Sequence, residues 1–207
     1  MDLLILFGVG LGTGLAGAMV PGPLMLYTVS EAFDKGRSAG IKIAVGHLLL
    51  EAAFVALVVM GLRELLSSAA FRTLIAWVGG LGLVVMGALI LTKLRRLSLA
   101  QSAKVRFRWG LVAGGAFFSL ASPGFVLWWA TIGTPVFLEG LLAGAPGVAM
   151  VSAGHALADL LWCWFVAFSV ERGKAYCTDQ TYRLIMACIA VWLIVLGLGF
   201  PLKRLLF

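Results

Sequence analysis

Charge, histidine and paired cysteine are all scarce in this chain, and each scarcity excludes something. Only 12% of its 207 residues are charged, where a soluble domain carries about a quarter. Hydrophobic residues make up 62% and the mean hydropathy is +1.06. That apolar surplus exceeds what one small globule can bury, so lipid is the expected solvent. The three cysteines, Cys163, Cys177 and Cys188, are odd in number and form no C-x-x-C. This argues against a disulfide framework and a thiol-exchange pair. Cys163 and Cys188 stand in apolar runs and read as small residues facing lipid or a neighbouring helix. The first residues carry Asp2 and no positive stretch, so no cleavable signal is expected there. Net charge is +7, but the positive residues are confined to connections. That is an orientation signal and argues against a nucleic-acid partner. No nucleophile–base constellation stands out, so neither an enzyme nor a cofactor is expected.

What is present is a series of six apolar runs, near residues 3–30, 39–62, 71–93, 109–136, 145–170 and 184–203. Each is long enough for a bilayer, which needs about 20 residues. Lys and Arg divide twelve against four between alternate connections. The richest connection holds Lys93, Arg95, Arg96, Lys104, Arg106 and Arg108 and no acid. The basic connections are therefore expected in the cytoplasm and both termini outside, in a cytoplasmic (inner) membrane. The basic segment 94–108 would lie against the anionic leaflet.

The first run is rich in glycine, with Gly8/Gly12 and Gly10/Gly14 at G-x-x-x-G spacing. Such a face admits another helix closely and would allow a homo-oligomer, although glycine is also common in membrane helices generally. Pro21, Gly22 and Pro23 follow, and two prolines must interrupt the helix ladder. Broken backbone in a bilayer is tolerated against protein or a water-filled cavity. The fourth run has a similar break at Ser122, Pro123 and Gly124. Trp128, Trp129, Trp162 and Trp164 lie deeper than an interface belt and read as cavity walls or as helix packing, whereas Trp77 and Trp109 suit the interface. Pro135 and Pro146 read as breakers around a loop that carries Glu139.

The chain has two histidines, and both stand inside apolar runs. Each is preceded by glycine and followed four residues later by an acid: Gly46, His47, Glu51 and Gly154, His155, Asp159. A pair at i, i+4 shares one helix face. Ionisable groups at membrane depth are costly and mark functional sites.

These features repeat. The Pro-Gly breaks are 102 positions apart and the Gly-His pairs 108 apart. Break, hairpin, Gly-His helix and third span recur in that order. Three spans per copy is odd, so the second copy enters from the other side. The expected fold is an all-α membrane protein of six transmembrane helices arranged as two inverted three-helix repeats. The whole chain, 1–207, is read as one transporter domain, with repeat one at 1–93 and repeat two at 109–207. Depth estimates at 1.5 Å per residue bring Glu51 and Asp159 to the midplane from opposite faces. The expected substrate path is lined by His47, Glu51, His155, Asp159, Pro21, Gly22, Pro23, Ser122 and Pro123. Its acids would hold a cationic group or a proton, and its histidines titrate near neutrality. Half-helix N-termini at the breaks would favour a carboxylate, which suits a zwitterionic small molecule. Two histidines and two carboxylates also suit a divalent cation, although no clustered His motif accompanies them.

The Pro21-Gly22-Pro23 break, Gly36, Gly40, Gly46, the glycine-rich third span and the second break at Pro123 resemble the LysE/RhtB amino-acid exporters over essentially the whole chain. The resemblance implies a six-helix inner-membrane exporter of amino acids or their derivatives, driven by the proton motive force or the membrane potential. It also implies that Pro21, Gly22, Pro23 and Pro123 are helix-break residues of the path. The chain departs from the family pattern at Ser122, where many members have Asn. It departs again at His47 and Glu51, where many have an Asp soon after the glycine.

Overall fold

In the computed structural model, residues 2–60, 69–96, 109–173, 175–176 and 178–206 are described. They are almost entirely helical, with no strand among them. Asp2 caps the first helix, α1 (Leu3–Ala18), its carboxylate accepting from the Leu4 amide at 3.1 Å. The run does not continue straight. After Met19–Gly22 the chain bends by 76° into α2 (Pro23–Lys35). Pro23 opens α2, where its missing N–H costs nothing. Gly36, at φ +66°, then turns the chain directly into α3 (Arg37–Val59). α4 (Ala69–Lys93) covers the third expected run and ends in a 3-10 turn, Leu94–Arg96.

The fourth expected span is divided and runs further than expected. α5 (Gly110–Leu120) stops at Ala121–Ser122, and Pro123 starts α6 (Pro123–Trp128). α6 passes through a π-helical turn, Trp129–Gly133, into α7 (Thr134–Leu142). The Thr134 hydroxyl donates to the Trp129 carbonyl at 2.7 Å within that turn. The expected loop around Glu139 is a tight turn instead. Glu139 lies in α7, and Gly144, at φ +74°, begins α8 (Gly144–Gly173). Pro135 and Pro146 accordingly do not bracket a loop. They occupy helix starts, where proline is accommodated. α9 (Asp179–Leu206) completes the chain.

Four stretches are long and apolar enough to cross a membrane: Arg37–Val59, Gly124–Leu142, Gly144–Gly173 and Asp179–Gly199. The bent pair α1 and α2 makes a fifth. The exterior is apolar, with Leu4, Leu49, Leu142 and Leu184 all more than 60% exposed, as a lipid-facing surface requires. Most of the basic connection, including Lys104, Arg106 and Arg108, lies outside the described residues, as do Arg63, Lys174 and Cys177.

Glycines set the interior contacts. α1 packs on α8. A Cβ on Gly10 would strike the Val151 carbonyl, and one on Gly154 would strike the Phe7 carbonyl. α3 packs on α5 in the same manner, Gly46 against Val112 and Gly115 against Ile43. α8 lies against α3, with Gly40 on the Cys163 carbonyl. Backbones this close gain dispersion contacts and leave no room for water. Of the two G-x-x-x-G pairs in α1, Gly10/Gly14 is buried against α8, while Gly8/Gly12 faces open space. α4 and α9 pack together at one side, Gly87 against Ala190. Leu6, Val58, Trp129, Phe137 and Val151 form the main apolar cluster.

Candidate functional site

His47 and Glu51 project from α3, one turn apart, because i and i+4 share a face. His155 and Asp159 do the same on α8. Packing of α3 on α8 brings the two pairs together, and all four are at least 92% buried. The tightest contact crosses between them. His155 Nε2 lies 2.8 Å from Glu51 Oε1, whereas its own helix partner Asp159 Oδ2 is 3.4 Å away. His47 Nε2 lies 3.5 Å from Glu51 Oε1 and 3.8 Å from Asp159 Oδ2. These two separations are beyond good hydrogen bonding. Asp159 Oδ2 makes no hydrogen bond.

The other ring nitrogen of His47 is held by Ser119, a residue that motif reading did not single out. Nδ1 is 2.7 Å from Ser119 Oγ, and Oγ is 2.7 Å from the Gly115 carbonyl. A hydroxyl has one proton. When it goes to Gly115, His47 must donate from Nδ1, and the neutral ring then presents the Nε2 lone pair to the two carboxylates. That arrangement calls for a proton or a cation among the three groups. The single clue in the sequence was a small hydroxyl one turn before a proline break.

Aromatic rings fix both imidazoles. Trp128 stacks on His155 with centroids 4.6 Å apart, and Phe125 meets His47 edge-on at 5.5 Å. Both rings come from α6, the half-helix that Pro123 begins.

The cluster sits at a cavity of about 350 Å³ that both helix breaks border. Of the expected path residues, His47, Glu51, His155, Asp159, Pro21, Gly22 and Ser122 line it. Pro23 does not; it is buried at the start of α2. Pro123 marks the start of α6, its side chain lies outside what is described, and the next residue, Gly124, lines the cavity. The tryptophans divide. Trp128 and Trp162 line the cavity, Trp129 is fully buried in the core, and Trp164 is partly exposed and stacks on Phe168. Thr28, Met25, Thr131 and Val166 also line it, and none of them carried a motif signal. Cys163 is buried and lines the cavity one turn beyond Asp159 rather than facing lipid.

The arrangement can hold a proton, a single cationic group or a divalent ion. One atom each from His47, Glu51 and Asp159 lie within 4.8 Å of one another, close enough to ligate one ion. No curated protein and no solved structure matches the chain. A family model does: residues 15–204 match the LysE type translocator. With nearly the whole sequence covered, and with apolar helices enclosing a polar cluster at a broken-helix cavity, the chain belongs to the LysE type translocator family of multi-pass membrane proteins.

Proposed function

We propose that the protein is a secondary-active exporter of amino acids or amino-acid derivatives, working by alternating access around the His47, Glu51, His155 and Asp159 cluster. One observation carries this reading: two buried His–carboxylate pairs from two different helices converge at a cavity bordered by both helix breaks. Buried titratable groups in a membrane span mark ion or substrate paths. The substrate ammonium displaces a proton from the carboxylates, or shares them with one. Its carboxylate meets the start of α2 or α6, where the first helical N–H groups have no helix partner. Leu24, Met25 and Gly124 at those starts line the cavity.

Residues 1–207 form one transporter unit of six spans in two inverted repeats, 1–93 and 109–207, joined by the basic 94–108 connection. The reciprocal packing supports this. The first half-helix of each copy packs on the Gly-His helix of the other copy, α1 on α8 and α5 on α3, in both cases through glycine. Gly36 and Gly144 are 108 positions apart, the same offset as the Gly-His pairs, and both turn a hairpin at positive φ. The orientation, with termini outside and the unit in the inner membrane, rests on the Lys and Arg distribution. The Arg37 amide donates to Glu171 Oε2 at 2.7 Å, which sets these two helix ends on one side. That contact joins two connections that the charge count assigns to the cytoplasm.

A second reading, a divalent-cation exporter, is favoured by the three-atom ligand spacing of His47, Glu51 and Asp159. Uptake into inverted membrane vesicles separates the two. Amino acids accumulating under a proton gradient support the first reading, and Mn²⁺ or Zn²⁺ accumulating without them supports the second.

A further inference from the structure

We infer that the cavity selects an amino compound with one cationic head and one large apolar body, that is, a large neutral amino acid rather than a basic, acidic or small one. The inference deepens the exporter reading above and rests on it.

The head site is compact. Ligand atoms of His47, Glu51 and Asp159 lie within 4.8 Å of one another. An ammonium has three N–H donors, and this set offers acceptors for all of them. The same closeness means that the two carboxylates serve one cation. They are not spaced to serve two cations at opposite ends of a ligand.

The body site is apolar. Beyond the cluster the cavity wall is built from Met25, Phe125, Leu127, Trp128, Trp162 and Val166. Its remaining polar side chains, Thr28, Ser122 and Thr131 among them, are neutral. Among the described residues that line it, none is Lys or Arg. A lysine-like ligand would therefore leave its second ammonium against rings and aliphatic groups without a counter-ion, which is strongly unfavourable. An acidic side chain would find no cation. A ligand the size of alanine would leave the aromatic wall unfilled and lose the benefit of burial.

Size permits it, since a cavity of about 350 Å³ has room for an amino acid with a branched or aromatic side chain.

The test is counterflow of labelled L-phenylalanine in proteoliposomes of the full-length protein, with unlabelled L-leucine, L-tryptophan, L-alanine, L-lysine and L-aspartate as competitors. Leucine and tryptophan should compete at concentrations about tenfold or more below those needed for alanine, lysine or aspartate. Trp162→Ala should narrow the margin over alanine by about tenfold, and the wild-type competition order stands by itself if that variant does not fold. Lysine, aspartate or alanine competing as well as leucine would overturn the inference and leave the exporter reading standing. Vesicles that exchange no amino acid at all would overturn the exporter reading and this inference with it.

Discussion

His155 and Glu51 are 104 positions apart in the chain, yet Nε2 of one lies 2.8 Å from Oε1 of the other, in the interior of the helix bundle. Each has an i, i+4 partner of its own, and each makes its shortest contact with the other's helix. The buried titratable residues of α3 and α8 therefore form one unit. A change of angle between these helices changes the hydrogen bonding of every member, which links helix movement to occupancy of the site.

Glu51→Gln keeps an acceptor for His155 and the same shape, so the fold should persist. The melting temperature in detergent should change little, while proton-driven transport should fall by about 100-fold. Asp159→Asn should behave in the same way. The substitution keeps the shape and removes only the charge, so the fold should persist there too. His155→Ala differs. It leaves Glu51 without its closest partner, and stability should drop by about 3 kcal/mol or more. Thermal denaturation of the purified variants checks all three.

Glycine substitutions should separate by face. Gly10→Ala, Gly46→Ala and Gly115→Ala each drive a methyl group into a backbone carbonyl of the facing helix. Overpacking of this kind costs about 1–3 kcal/mol. Gly8→Ala and Gly12→Ala meet nothing within 4 Å. They should be neutral, or stabilising by up to about 1 kcal/mol through helix propensity. Detergent melting curves of the five variants decide it, and equal losses on both faces would contradict the packing.

Ser119→Ala removes the hydrogen bond that holds His47 Nδ1. Stability should fall by about 1 kcal/mol. Because Ser119 orients the ring without reaching the carboxylates, the more telling readout is the pH profile of transport. It should move in Ser119→Ala and return in Ser119→Thr. An unchanged profile with lowered stability would make Ser119 a packing residue only.

If the cluster serves cations of the metal class, titrating the purified protein with Mn²⁺ or Zn²⁺ should give one site per chain that His47→Ala removes. Under the amino-acid reading, the same titration gives no saturable site, and millimolar EDTA leaves counterflow unchanged.

Both helix breaks could be read from the sequence because proline acts locally: Pro23 and Pro123 each begin a helix whatever surrounds them. The two His–acid pairs could also be read, since spacing alone puts them on one face and hydropathy alone puts them in a span. Their cross-pairing could not be read, because it depends on the angle at which α3 meets α8. Two glycine pairs with identical spacing lie on α1, and only the partner helix decides that Gly10/Gly14 is the packed one. Ser119, Thr28 and Cys163 are ordinary residues in a membrane helix until the fold turns them toward the cavity. The π turn at Trp129–Gly133, which carried the fourth span past its expected end, has no signature in composition.

The central claim is that the buried carboxylates couple substrate movement to protons. Uptake of labelled amino acid into inverted vesicles, with and without a proton gradient, tests it most directly when wild type is compared with Glu51→Gln at equal membrane abundance. The account predicts gradient-dependent accumulation in wild type and none above background in Glu51→Gln. Gradient-dependent accumulation at the wild-type rate in Glu51→Gln would contradict it.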